Sequence, residues 1–213
     1  MDGTLVDSER LWKVAESGLL ARRGLTYEDE KHAPFIGMGI TDYMNGIMGA
    51  YGLQGDMQSL IAELNADIVR LLKTDTQPQP GAFEMVDYVT ERNIPYGIAS
   101  SSSLEVINAT IGSQPRWDNA FAFRTSAEEV PRGKPAPDVY WLAAERLGVN
   151  PTECIAIEDS ANGARAAVAA GMTCLAVPDT SHTNPAVFAH ITPHVFNSLH
   201  EVKVFIETCG QSS

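Results

Sequence analysis

Cys154-Ile155-Ala156-Ile157-Glu158-Asp159-Ser160-Ala161-Asn162-Gly163 brings together a short apolar run, two adjacent carboxylates and the opening of a helix. A short aliphatic run bounded by polar residues reads as a buried strand over 154–157, and the alanine-rich stretch after Ser160 reads as a helix. Outward from it, comparable runs at 94–99, 120–123 and 173–177, with a weaker one near Val195, alternate with helical stretches at about 82–92, 103–112, 137–147 and 161–170. The punctuation agrees. Ser102-Ser103-Leu104-Glu105 has the pattern of a capping box, Pro137 suits a first helical turn, and Gly148 and Gly171 stand where left-handed C-terminal caps are expected. Strands alternating with helices predict an α/β fold around a parallel sheet.

Upstream of Gln77-Pro78-Gln79-Pro80-Gly81 the texture changes. Residues 9–23 carry Leu11, Ala15 and Leu19 on one stripe, and residues 57–73 carry Leu60, Ile61, Leu64, Ile68, Leu71 and Leu72 at helical spacing. The first third is therefore predicted to be helical. The layout reads as an α/β core made of 1–7 and 77–213 with a helical cap, 8–76, inserted into it. A right-handed crossover onto the strand at 94–99 should start from an earlier parallel strand, yet only seven residues precede the cap. The pattern thus predicts a strand upstream of Met1.

The 213 residues, 44% hydrophobic and 8% aromatic, suffice for a core without disulfide or metal staples. With 15 Lys plus Arg against 27 Asp plus Glu, the formal net charge is −12, a poor match for nucleic acid or an acidic lipid surface. Cys154, Cys174 and Cys209 are odd in number and lack metal-ligand spacing, which fits a reducing cytoplasm. No apolar run reaches the roughly 18 to 20 residues a membrane span needs, and the first residues are not a cationic signal sequence.

In open α/β sheets ligands gather at the carboxyl ends of the strands. Four clusters fall there: Asp2-Gly3-Thr4 with Asp7 beyond it, Ser100 to Ser103, Gly133-Lys134-Pro135-Ala136-Pro137, and Glu158-Asp159-Ser160 with Asn162-Gly163. Two carboxylates at the end of a buried strand are costly unless a cation accompanies them, and hard oxygen donors favour Mg²⁺. The plainer reading makes Asp159 or Ser160 a helix cap. The serine run opens a helix whose free N–H groups favour a phosphate, or it merely caps that helix. Lys134, in a stiff loop, either aims an ammonium at a fixed point or is solvated. Gly37-Met38-Gly39 lacks a dinucleotide fingerprint and reads as a turn between cap helices, while His182, His190 and His194 read as surface residues. Neither a phosphate-binding G-x-x-x-x-G-K-[ST] loop nor a G-x-S-x-G elbow occurs.

Taken in order around a helical insertion, Met1-Asp2-Gly3-Thr4-Leu5-Val6-Asp7-Ser8-Glu9, Ser100, Lys134 and Glu158-Asp159 resemble the four motifs of the haloacid-dehalogenase-like hydrolases, in the branch of β-phosphoglucomutase and sugar-phosphate phosphatases. The resemblance runs over essentially the whole chain. It implies a Rossmann-like parallel sheet core with an inserted α-helical cap, and phosphoryl transfer through an aspartyl-phosphate. By resemblance Asp2 is the acid and base that protonates the leaving oxygen and then activates water, with its backbone carbonyl also on Mg²⁺. Asp159, supported by Glu158, holds the ion. Ser100 and Lys134 are catalytic and bind the phosphoryl oxygens, with Ser101 as a further substrate contact.

The nucleophilic aspartate of that pattern belongs directly before Met1, which agrees with the strand expected there. Two explanations follow: a natural protein that starts further upstream, which we favour, or a short form that at most binds phosphorylated ligands. Loss of a central strand should exceed the total stability of about 5 to 15 kcal/mol typical of a folded chain. Trp12 follows the first motif as either a substrate contact or packing on the cap's apolar face. Phe35-Ile36-Gly37-Met38-Gly39-Ile40-Thr41 offers no Arg for a second phosphate, which favours a Mg²⁺-dependent phosphatase of a small sugar phosphate over a β-phosphoglucomutase-like isomerase. The expected partner is a small phosphorylated metabolite, with neither nucleic acid nor membrane, and the expected state is a monomer or weak dimer.

Overall fold

The computed structural model describes residues 1–117, 119–178 and 184–210, so His182 lies outside the described residues. After a turn over 3–5, strand β1 (Val6–Asp7) leads into helices α1 (Glu9–Ala21), α2 (Asp29–His32), α3 (Ile40–Tyr51) and α4 (Met57–Asp75). Strand β2 (Gln77–Pro78) then returns antiparallel to β1, with Val6 opposite Pro78 and Asp7 opposite Gln77. The chain thus leaves for the helical region and comes back at one place.

The helices cohere because their apolar stripes meet. Leu11, Ala15 and Leu19 of α1 pack on Leu60, Leu64, Ile68 and Leu72 of α4 and on Met44 of α3. Each fully buried Leu or Ile contributes about 1.5 to 3 kcal/mol, far more than helix propensity supplies. Asp56 caps α4 by accepting from the Ser59 N–H at 2.9 Å. The same cluster takes in Val106 from beyond the insertion, so the helical region is fastened to the core by apolar packing as well as by its two connections.

Beyond β2 come α5 (Ala82–Glu91), β3 (Gly97–Ser100), α6 (Leu104–Gly112), β4 (Phe123–Ser126), α7 (Asp138–Leu147), β5 (Ile155–Glu158), α8 (Ala161–Ala169), β6 (Thr173–Ala176) and α9 (Leu199–Gly210). The pairs β3–β4 and β5–β6 are both parallel, with Ser100 opposite Ser126 and Glu158 opposite Ala176 at their carboxyl ends. Among the described residues the parallel sheet is therefore two separate hydrogen-bonded pairs, where the sequence predicts one array. Apolar packing spans the two, since Ile98 of β3 shares a cluster with Ile157 of β5. Near Val195 only a bridge to Ala176 forms.

Two strands sit later than the sequence predicts. Ile94 donates its N–H to Val89 O to close α5 after the left-handed Asn93 (φ 53°), so extended pairing starts only at Gly97. Ala120 and Phe121 precede β4 because Phe121 is drawn into the core edge-on to Tyr96 and Trp117. The expected capping box at Ser102 is also displaced. Ser103 is the cap, accepting from Val106 N–H at 3.3 Å, and a true capping box occurs instead at Ser126 and Glu129. His190 is exposed, whereas His194 is half-buried with its ring 5.1 Å from that of Phe205. Among the described residues no helix is long and apolar enough to cross a membrane. Cys154, Cys174 and Cys209 are all unpaired thiols.

Candidate active site

Two strand ends, one loop and one turn deliver the polar residues. At the end of β3, Ser100 is buried and its Oγ accepts from the Ser102 N–H at 3.1 Å, which folds the serine run into a tight loop before α6. The Ser102 hydroxyl donates to Asp2 Oδ2 and the Ser8 hydroxyl to Asp2 Oδ1, each at 2.8 Å. Asp2 is thereby fixed from both sides.

At the end of β5, Glu158 is buried and its Oε1 accepts from Lys134 Nζ at 2.5 Å and from the Tyr140 hydroxyl. Lys134, itself 5% exposed, also donates to Ala99 O at 3.1 Å and follows a loop that continues through a cis bond to Pro135. Burial alone would raise the Glu158 carboxyl, but the Lys134 ammonium beside it holds it below the ordinary carboxylate value. Burial and Glu158 have the opposite effect on Asp159, pushing its carboxyl up to about 6, while Thr4 Oγ1 donates to Asp159 Oδ1 at 2.7 Å. Ser160 is the helix cap, accepting from the Gly163 N–H at 3.1 Å.

Two glycines make this packing possible. A Cβ on Gly3, where φ is +66°, would stand 2.3 Å from Asp159 Oδ2, and one on Gly163 would stand 2.0 Å from Glu158 Oε2. At either position a side chain would push the carboxylate out of its place.

Asp2, Ser100, Ser101, Lys134, Glu158 and Asp159 line a single cavity of about 130 Å³, and Trp12 lines it from the helical side. The loop 36–39 is seated against the core there. Ser101 Oγ donates to Gly37 O and Asn162 Nδ2 to Ile36 O, both at 3.1 Å, and a Cβ on Gly37 would meet Ser160 Oγ at 2.7 Å. Gly37-Met38-Gly39 is thus a turn between helices, as its sequence suggests, and also a contact between helical region and core.

The donor set suits a hard divalent ion in one respect and differs from expectation in another. Asp159, half-buried beside a second carboxylate that raises its own carboxyl, is the kind of group a cation relieves. Glu158 instead has its carboxylate engaged by Lys134, Tyr140 and Ser160 Oγ. Among the described residues no three His, Cys, Asp or Glu side chains gather as a metal-binding group. Mg²⁺ commonly takes one or two carboxylates and completes its octahedron with water and phosphate, so such a trio is not required.

Thr4, Ser8, Ser102 and Tyr140 also belong to the site, although the sequence reading gives them no chemical role. Thr4, Ser8 and Ser102 stand inside motifs already singled out, and that proximity was their only signal. Tyr140 lies mid-helix and had none.

A cavity at strand ends, walled on one side by an α/β core and on the other by packed helices, is the layout of a capped α/β protein. A family model described as haloacid dehalogenase-like hydrolase matches residues 1–171. Over 184 residues the chain is 32% identical to a Drosophila melanogaster protein named "Probable pseudouridine-5'-phosphatase", covering 84% of this chain and 79% of that one. It is also 32% identical over 190 residues to hexitol phosphatase B of Escherichia coli K12, covering 88% and 85%. The crystal structure of CbbY from Rhodobacter sphaeroides in complex with phosphate superposes with a TM-score of 0.82 at 25% identity, covering 95% of this chain and 93% of that one. The chain belongs to the haloacid dehalogenase-like hydrolases.

Proposed function

We propose that this protein is a phosphatase of small sugar or sugar-alcohol phosphates, with 8–76 acting as a cap over a core made of 1–7 and 77–213. The observation that carries the reading is the convergence of Asp2, Ser100, Lys134 and Asp159 on one cavity under the helices. The names of the pseudouridine-5'-phosphate and hexitol phosphatases support the substrate class. The cavity's two lysines are both ion-paired, Lys13 with Asp29 and Lys134 with Glu158, and no arginine lines it among the described residues. A mutase, which must seat a second phosphate, is therefore the weaker reading.

In this proposal Ser100 donates its hydroxyl and Lys134 its ammonium to the non-bridging phosphoryl oxygens, opposing charge that builds in the transition state. Glu158 and Tyr140 position Lys134. Asp159 and the main-chain carbonyl of Asp2 would hold Mg²⁺, which when bound offsets repulsion between an anionic nucleophile and the phosphate. By the family resemblance, a carboxylate directly before Met1 would form the bond to phosphorus as the ester P–O bond breaks. The Asp2 carboxyl gives its proton to the departing oxygen, then takes one from the water that releases phosphate. Ser8 and Ser102 hold Asp2 in one rotamer for both transfers.

The test is phosphate release from hexose and hexitol monophosphates by protein extended upstream through that carboxylate. Turnover that stops in excess EDTA is expected. Equal inactivity of the extended and unextended chains across the panel would instead favour a protein that only binds phosphorylated ligands.

A further inference from the structure

We propose that the cap side of the cavity holds a hydroxyl-reading subsite, built on Glu16 and positioned by Tyr43 and His32, that selects the uncharged polyol end of a phosphomonoester and disfavours a second phosphate. The inference rests on the phosphomonoester reading above. Glu16 comes from α1, His32 from the end of α2 and Tyr43 from α3, and all three line the cavity. The Glu16 side chain is only 11% exposed and His32 only 2%. Phosphoryl transfer at the strand ends uses none of them, so a buried carboxylate on this wall calls for another purpose.

Proton accounting shows what the cluster offers. The Tyr43 phenol is held protonated by burial and by Glu16, and it donates to Glu16 Oε1 at 2.5 Å. With that proton committed, the Tyr43 oxygen accepts from His32 Nδ1–H at 2.7 Å, and the same nitrogen lies 3.3 Å from Glu16 Oε2. Tyr27 stacks on the His32 ring at 4.0 Å and fixes its plane. A carboxylate has about four lone-pair sites, so roughly two on Glu16 remain for donors entering the cavity. A fixed anionic acceptor takes O–H donors and repels phosphate oxygens. Trp12 adds an apolar surface on the same wall, suited to the C–H faces of a carbohydrate.

Calorimetric titration in the presence of Mg²⁺ tests this with three probes: inorganic phosphate, sorbitol 6-phosphate and glucose 1,6-bisphosphate. The wild-type chain should bind sorbitol 6-phosphate at least tenfold more tightly than inorganic phosphate. A hydrogen bond to a charged group corresponds to about ten- to a hundredfold in affinity, so Glu16→Gln should weaken sorbitol 6-phosphate by about that lower bound. It should shift inorganic phosphate less than twofold and improve the bisphosphate relative to the monophosphate. Tyr43→Phe should move the same way by a smaller factor, and it carries the comparison if Glu16→Gln does not fold. Phosphate binding with no advantage for the polyol, or equal losses for both ligands in the variants, would overturn the subsite alone. No binding of inorganic phosphate by the folded wild-type chain would overturn the phosphomonoester reading and the subsite with it.

Discussion

Lys134 and Glu158 form an ion pair whose side chains are 6% and 5% exposed. Removing one member leaves the other charge buried, so Lys134→Ala should cost on the order of 3 to 5 kcal/mol in urea unfolding. Lys134→Met combined with Glu158→Gln should recover much of it. A double variant as unstable as the sum of its single changes would show the two act independently. Asp159 behaves in the opposite sense. Because its folded-state carboxyl is raised from 3.8 to about 6, the folded chain binds a proton there that the unfolded chain has released. Metal-free stability should therefore fall as pH rises between about 4 and 6. In EDTA at pH 7.5, Asp159→Asn should be more stable than wild type by up to about 3 kcal/mol, with the advantage lost near pH 4. Thermal melts with Mg²⁺ should stabilise wild type and leave Asp159→Asn unmoved. An equal Mg²⁺ response in both would remove Asp159 from the ion's site.

The elements place these residues through small local devices. Gly163 opens the first turn of α8 directly against Glu158, so Gly163→Ala should disturb the Lys134 pair and cost about 1 to 3 kcal/mol, beyond what a surface glycine change gives. Asn162 on the same turn tethers the 36–39 loop through Ile36 O. Asn162→Ala should leave global unfolding nearly unchanged while amide exchange over 36–39 accelerates. Unchanged exchange there would mean that Ser101 and the glycine contacts hold the loop without it. At this scale the sequence was legible in kind and less so in place. Helices and strands fall near their predicted positions, but β3 begins later because Asn93 closes α5 with a left-handed turn, and β4 because Phe121 answers to tertiary contacts that no local pattern records. The cap of α6 falls on Ser103 where Ser102 would serve equally well by composition, since the Ser102 side chain is claimed by Asp2 across 100 positions of sequence.

Across the whole molecule, cap and core share one apolar cluster through Val106, so they should unfold together. Leu64→Ala, a fully buried position on α4, should cost about 2 to 5 kcal/mol and lower a single transition followed by both far-UV signal and tryptophan fluorescence. A separate early transition confined to helical signal would show the helical region to be an independent unit.

From residue order alone came the alternation of strands and helices, the helical insertion, and the strand-end motifs that contain Asp2, Ser100, Lys134 and Asp159, because periodicity and strand-end position are written locally. The division of labour between the adjacent carboxylates came only from the tertiary structure. Glu158 faces Lys134 and Tyr140 while Asp159 is left to a hydroxyl, and neighbours in sequence cannot reveal which of two identical charges will meet an ammonium. The Glu16–Tyr43–His32 cluster was equally hidden, for its members sit on three helices and become one site only when apolar packing brings those helices together.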